Sequence, residues 1–352
     1  MRKLATIQTV NAAEPIPNAD AIEKIRVLGW WVVVKKGEFK PGDKVVYCEI
    51  DSLLPEAGAF EFLRASSFKP AQTDAAGAVT LAAGFRIKTV KLRGQVSQGI
   101  CFPLSVLPPG APTDEDADVT DALGVRKWEP PQTVGFGGRV KGSFPGFLAK
   151  TDETRVQVLE PVIARHRGLP CFVTEKLDGT SFTAFVRDGE FGVCSRNMLL
   201  DTTDEWSVLV NVAKRLGLEA KLRAFGVARG CEVAIHGEVI GPGVQGNKYV
   251  LKEISLRVFN VFDVSAYSFL GHADMLDAVG AMGLDAVPQL GPVVLNHSVD
   301  ELVALSEGTS VLNPKVQREG IVLRPLNEVE DEYLGRLSFK AINPKFLLKY
   351  DE

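Results

Sequence analysis

Cysteine is scarce and scattered. The five cysteines in 352 residues (Cys48, Cys101, Cys171, Cys194, Cys231) stand far apart with no paired ligand spacing. That leaves neither a zinc site nor a disulfide framework, and it fits a reducing cytosol. No apolar run reaches membrane-spanning length. The N-terminus turns polar and prolyl by Glu14-Pro15-Ile16-Pro17, too early for a signal peptide. The expected location is the cytoplasm. The Gly-x-x-x-x-Gly-Lys-Ser/Thr run of P-loop nucleotide binders is missing. Gly241-Pro242-Gly243-Val244-Gln245-Gly246 matches the dinucleotide fingerprint by letter. That motif needs a strand before it and a helix after it, whereas Lys248 onward reads as strand. Internal repeats and low-complexity tracts are absent. An excess of positive charge is absent too. A net charge of −4 argues against indiscriminate coating of nucleic acid, but permits a local basic groove, because counterion release follows local charge.

What remains is an ordinary globular composition, 45% hydrophobic and 24% charged, in a chain long enough for two domains with real cores. Residues 1–108 read as mostly β. Ile25 to Val34, Lys44 to Ile50 and Phe85 to Leu92 are strand-like, with turn signals such as Lys40-Pro41-Gly42-Asp43 between them. Several short strands in so short a span predict a small closed barrel. Arg86, Lys88, Lys91 and Arg93 alternate on it, either marking a solvated face or placed to track a phosphate backbone. Residues 109–143 read as a linker, with an acidic, solvated cluster at Asp114-Glu115-Asp116-Ala117-Asp118, then Pro130-Pro131 and several glycines. Residues 144–352 mix strands and helices. The pattern predicts a helix over Asp152 to Arg165, interrupted at Pro161, and a long amphipathic helix over Asp204 to Phe225 with Trp206 among its apolar positions. Ser298-Val299-Asp300-Glu301 is a capping-box signature.

One stretch organises the second half: Val173-Thr174-Glu175-Lys176-Leu177-Asp178-Gly179-Thr180-Ser181. It reads as strand, tight turn, strand, with the lysine ending the first strand. Such a geometry holds an amine rigidly, as a covalent lysine nucleophile requires. The plainer alternative is a hairpin with a surface lysine and with Asp178 merely shaping the turn. Five further islands follow on strand-like stretches. They are Ser195-Arg196-Asn197, His236-Gly237-Glu238 continuing to Gln245, Phe259-Asn260-Val261-Phe262-Asp263, Arg318-Glu319-Gly320-Ile321-Val322, and Ser338-Phe339-Lys340.

In this order the islands resemble the covalent nucleotidyltransferase superfamily of polynucleotide ligases and mRNA capping enzymes. Ile16-Pro17-Asn18-Ala19-Asp20, Gly29-Trp30 and Lys91 to Gly99 resemble an OB-fold module related to tRNA-binding domains. Gly-Glu followed by Gly-Pro-Gly and a glutamine, with an amino-terminal OB module joined through Leu123 to Pro131, is similar to the fifth RNA ligase family, the nick-sealing ligases of the Deinococcus radiodurans type. The resemblance implies an α+β chain, an OB-fold β-barrel followed by an adenylyltransferase domain of ATP-grasp-like antiparallel sheets with flanking helices. It implies ATP and a divalent metal, Mg²⁺ or Mn²⁺, as cofactors. The implied partner is a nicked duplex with RNA on the 3′-OH side, without a membrane or an obligate protein partner.

The same resemblance assigns roles. Lys176 would form lysyl-AMP. The amine must be unprotonated, while free lysine titrates near ~10.4, so a cationic neighbourhood would help. Lys340 suits the α-phosphate and Arg155 the outer phosphates. Asp178, Glu238 and Glu319 are hard oxygen ligands for the metal, directly or through water. Phe262 would offer an aromatic face to adenine, the plainer alternative being a core residue on a strand apolar on both faces, and Glu175 would accept from the adenine amino group. Ser181 and Arg196 complete the nucleotide and 5′-phosphate contacts. One departure stands out: related ligases carry two lysines in the last motif, and here Ser338 takes the first place, leaving Arg336 or Lys345 as candidate substitutes. A DNA ligase, a guanylyltransferase and a non-catalytic OB-type binding protein with a decayed transferase domain are the rival readings.

Overall fold

The computed structural model describes residues 3–73, 77–129 and 138–350. The chain divides into two compact units, Met1–Gln132 with Pro344–Glu352, and Thr133–Asn343.

The amino-terminal unit is built on one long strand, Ala5–Pro15. Its first half pairs with Lys44–Cys48 and its second with Ile22–Val27, a bulge between Val10 and Ala12 turning it from one partner to the other. The apolar run expected as one strand from Ile25 to Val34 is a hairpin, Ile22–Val27 and Trp30–Lys35, turning at Leu28 with φ +52°. Trp30, Val32 and Val34 point into the core with Ile25 and Val27, and Trp31 and Val33 alternate outward. Two expectations fail here. The segment up to Glu129 belongs to the barrel wall. Val119, Leu123 and Val125 are buried in its core, and Ile7 N–H donates to Ala117 O at 3.0 Å. The acidic cluster is exposed as expected, and two of its carboxylates also hold the first strand, Glu115 Oε1 accepting from Thr9 N–H at 2.8 Å and Asp116 Oδ1 from Gln8 Nε2 at 2.9 Å. Three apolar residues among prolines, glycines and carboxylates give no periodic signal. Pro130 and Pro131 lie outside the described residues. Arg86, expected on the surface, is buried against Asp51 at 3.1 Å, with Trp128 3.8 Å from its guanidinium. Lys91 and Arg93 are exposed on the Val90–Leu92 and Gln95–Ser97 hairpin.

The second unit has two sheets. The seven-stranded sheet runs Val140–Ser143, Met198–Leu200, Glu190–Cys194, Thr180–Arg187, Val233–Ile240, Ser255–Asp263, Ser268–Phe269. The five-stranded sheet runs Thr154–Arg155, Phe339–Ile342, Gly320–Pro325, Pro170–Lys176, Gln289–Val294, with its first pair parallel. The helix expected from Asp204 to Phe225 is two helices, Val208–Arg215 and Leu218–Arg229, broken where Gly217 adopts φ +62°. Ser207 caps the first, and Trp206 stands 89% exposed ahead of it. The helix expected over Asp152 to Arg165 shrinks to Glu160–Arg165. Pro161 sits in its first turn, where the missing N–H costs nothing, and Thr154–Arg155 is strand. The capping box at Ser298 forms as expected. Among the described residues no helix is long and apolar enough to cross a membrane.

Candidate active site

Lys176 ends Pro170–Lys176 in the five-stranded sheet, and Thr180–Arg187 opens in the seven-stranded one. The two strands are therefore not a hairpin. Leu177-Asp178-Gly179 carries the chain from one sheet to the other, so the lysine stands where the sheets meet. Gly179 is obligatory there, since a Cβ would come within 2.4 Å of Val239 O and 2.9 Å of Glu238 Cγ. Leu177 is anchored among Ile240, Tyr249 and Val287. Asp178 N–H donates to Tyr249 Oη at 2.7 Å, and Lys248 Nζ meets Asp178 Oδ2 at 2.7 Å.

Lys176 Nζ donates to Glu319 Oε1 at 2.6 Å. Burial works against its charge, but Glu319, Glu238 and Asp178 outweigh it, so the ammonium is held more firmly than in free lysine. Burial pushes Glu238 up to about 8 despite the attraction of Lys176, and the charges of Glu319 and Asp178 add to the rise. Glu319 Oε2 is buried without a hydrogen-bond partner, an acceptor suited to a cation or its water. Among the described residues no three His, Cys, Asp or Glu side chains are disposed to hold one ion directly.

Strand alternation adds the rest. Lys176 pairs with Gly320, Val322 with Lys340, and Lys340 with Arg155. Paired residues share a face, so Lys176, Lys340 and Arg155 lie on one face of the sheet. The alternate residues Val173, Ile321, Leu323, Phe339 and Ala341 form the core on the other. Glu175 falls on that other face, 1% exposed, with Oε2 accepting from Val311 N–H at 2.8 Å and Oε1 buried without a partner. Burial raises its pKa, with the bonds from Ser310 and Val311 and the charge of Arg318 opposing. Ser181 pairs with Glu238 across the neighbouring sheet. Arg196 is exposed and bonded to Asp152 at 2.7 Å.

Phe262 does not present the face expected of it. It is 1% exposed, with Tyr267, Phe269 and His236 packed around its ring at centroid distances of 5.2, 4.9 and 6.1 Å. The half-buried phenylalanine of this strand is Phe259. His236 lies opposite Asn260 and Gly237 opposite Val258, so Phe259 is the extra residue of a bulge. There it packs against the cluster of Leu177, Ile240, Tyr249 and Val287. Two phenylalanines three apart on a regular strand face opposite sides, which marks one of them as core. The bulge that decides which is not legible. Lys248 and Tyr249 were also missed. Their signal lay in the preceding run, which bends through positive φ at Gly241, Gly243, Gln245, Gly246 and Asn247. That run ends in a turn rather than the expected strand, and no helix follows it.

In the last motif, Ser338 Oγ accepts from Arg324 Nε at 2.9 Å. Arg336 is committed to Glu328 and to Asn260 Oδ1, and its guanidinium lies 3.6 Å from the Phe269 ring centroid. Lys345 belongs to the other unit.

Residues 4–104 match an OB-fold domain model, and residues 169–342 match an RNA ligase model. No curated protein matches the chain. Among solved structures, a mutant RNA ligase of Naegleria gruberi with ATP and Mn is 36% identical, with a TM-score of 0.88 over 100% of both chains. The same organism's RNA ligase with PPi is 36% identical with a TM-score of 0.87, covering 100% of this chain and 99% of that one. An apo mutant is 35% identical at 0.87, covering 99% and 98%. Likeness of that depth along the whole length, on top of a lysine set between two sheets and ringed by carboxylates, makes this chain a member of the RNA ligase family.

Proposed function

We propose that the chain is an ATP-dependent, nick-sealing RNA ligase of the Deinococcus radiodurans type that works through a covalent lysyl-AMP on Lys176. The observation that carries this reading is the shared face of Lys176, Lys340 and Arg155, with Glu238 and Glu319 close to the lysine. Lys176 Nζ attacks the α-phosphorus of ATP. The P–N bond forms as the bond to the bridging oxygen breaks, and pyrophosphate leaves with that electron pair. Glu319 Oε1, 2.6 Å away, is the hydrogen-bonded acceptor beside the ammonium proton. Lys340 and Arg155 offset the charge of the phosphates, and Phe259 supplies the aromatic face for adenine that Phe262 cannot. Naegleria gruberi structures with ATP and Mn and with PPi support both the substrate and the leaving group.

The donor set fits a divalent cation. Asp178, Glu238 and Glu319 are hard oxygen donors and Glu319 Oε2 is an orphan acceptor, so these residues would hold it partly through water. Bound there, it would draw off carboxylate charge and favour the neutral amine. AMP then passes to a 5′-phosphate held by Arg196, and a 3′-OH displaces it. The preference for RNA at that 3′-OH rests on the resemblance alone, a 2′-OH being readable as donor and acceptor. The units as proposed are an OB-fold module over residues 1–108 extended by the wall segment to Glu129, and a transferase domain to Asn343. The cytoplasm is the proposed location.

Incubation with labelled ATP and Mn²⁺, followed by a denaturing gel, tests the reading. Wild type should carry label and Lys176→Ala none, while the variant still closes a pre-adenylylated nick. Label retained in Lys176→Ala overturns the assignment. Equal sealing of all-DNA nicks would move the protein to the DNA ligases.

A further inference from the structure

Arg324 is an arginine with no task in the scheme above, yet it is among the most buried charges in the second unit, 3% exposed. It pairs in register with Phe172, two steps along from the Val322–Thr174 pair. It therefore lies on the same face as Lys176 and Lys340. Three of its nitrogens are used in three directions. Nε donates to Ser338 Oγ at 2.9 Å, Nη2 meets Glu153 Oε1 at 2.8 Å, and Nη1 donates to the backbone carbonyl of Phe259 at 3.2 Å. The last bond crosses from the five-stranded to the seven-stranded sheet and ends on the bulged residue itself. The second reaches the residue just ahead of the Thr154–Arg155 strand. A bulge leaves its extra residue outside the ladder, so its orientation needs a bond from elsewhere. A planar fork with donors at fixed angles supplies that bond, and an ammonium group cannot reproduce the pattern.

We propose that Arg324 is the positioning residue for the base of the nucleotide: it fixes the bulge that aims Phe259, and through Ser338 it occupies the place where related ligases carry a lysine. The serine is then a fitted acceptor rather than a loss. A lysine at 338 would set a second cation against Arg324 in a buried site. The inference rests on the reading of Phe259 as the base platform.

The test uses the full-length protein and measures lysyl-AMP formation against ATP concentration, with inorganic tripolyphosphate as a competitor that carries phosphates and no base. Arg324→Lys should raise the KM for ATP about tenfold, the size of one charge-assisted bond, while the tripolyphosphate Ki and kcat stay close to wild type. Ser338→Ala should shift KM in the same direction by less. Arg324→Lys added to Phe259→Leu should raise KM little beyond Phe259→Leu alone, because the two act through one contact. An unchanged KM in Arg324→Lys, a Ki rising in step with KM, or additive effects in the double variant would each overturn the proposal. If Arg324→Lys does not fold, Ser338→Ala decides by the same KM and Ki criteria. Wild type that takes no label from ATP would instead sink the ligase reading, which separates the two failures.

Discussion

The two faces of the five-stranded sheet are made by the same strands and do opposite work. One face is closed and, apart from the buried Glu175, apolar, with Val173, Ile321, Leu323 and Phe339 packed under the Glu160–Arg165 and Val299–Ser306 helices. The other gathers Lys176, Lys340, Arg155 and Arg324. Adjacent residues such as Phe339 and Lys340, or Leu323 and Arg324, are assigned to the core face or to the lysine face by the two-residue period alone. The difference teaches that a site of this kind is written across strands, not along them, and that substitutions one residue apart should fail in different ways.

The largest contrast is between Lys340 and Leu323. Lys340→Ala should cut lysyl-AMP formation by about 10²–10³, the scale for removing one preorganised charge stabiliser, and leave the melting temperature near wild type. Leu323→Ala, on the buried side, should cost about 2–5 kcal/mol of folding free energy and leave the KM for ATP unchanged below its melting range. Denaturant unfolding and ATP titration on both variants check this. A Lys340→Ala protein that loses stability without losing rate would break the two-face account.

His236 sharpens the comparison on the neighbouring sheet, where it shares a face with Glu238 while Ile235 and Val239 join the core. It is 1% exposed. Burial pushes its pKa down to about 3, aided by the charges of Arg336 and Arg324 and opposed by the Ala149 carbonyl. The folded state therefore holds the ring neutral, whereas the unfolded chain protonates it below about 6.5. Its stabilising effect is complete above that pH and is lost as pH falls from about 6.5 toward 3, with a slope of up to ~1.4 kcal/mol per pH unit. Replacing it as His236→Phe should flatten the stability profile between pH 6 and 4 by up to that slope. Urea midpoints across that range would show it, and an unchanged profile would mean the ring is protonated in the fold.

Much of the site was legible because each motif ends a strand or opens a turn. The order of Lys176, Glu238, Glu319 and Lys340 fixed which strands had to meet. What stayed hidden depends on irregularity. Which of Phe259 and Phe262 is core is decided by one extra residue in a ladder. Helix ends are hidden where Gly217 and Pro161 act, because apolar periodicity continues through a break that backbone conformation imposes. Residues 117–125 were missed because burial of Val119, Leu123 and Val125 is spaced by turns rather than by a regular period. The fate of Arg86 was hidden for a related reason: alternation says which residues leave the core face, and cannot say whether Trp128 and Asp51 will cover one of them.

That last case gives the smallest predicted effect, and it tests the same lesson in the amino-terminal unit. Arg86 and the cations after it were expected to act together on phosphate. The structure separates them: Arg86 is buried in an ion pair with its guanidinium beside the Trp128 ring, and Lys91 and Arg93 stand exposed on a short hairpin. A buried paired arginine contributes through the partner it would leave stranded, not through released counterions. Arg86→Gln should therefore lower the unfolding temperature and leave the salt slope of nick binding unchanged. Neutralising Lys88, Lys91 and Arg93 together should do the reverse. Affinity at low salt should drop and the slope of log K against log salt should flatten by about 1 for each phosphate no longer neutralised. Binding of a labelled nicked duplex over a range of salt concentrations reads both. If Arg86→Gln flattens the slope and the triple variant does not, the phosphate-tracking surface of the barrel is not the hairpin.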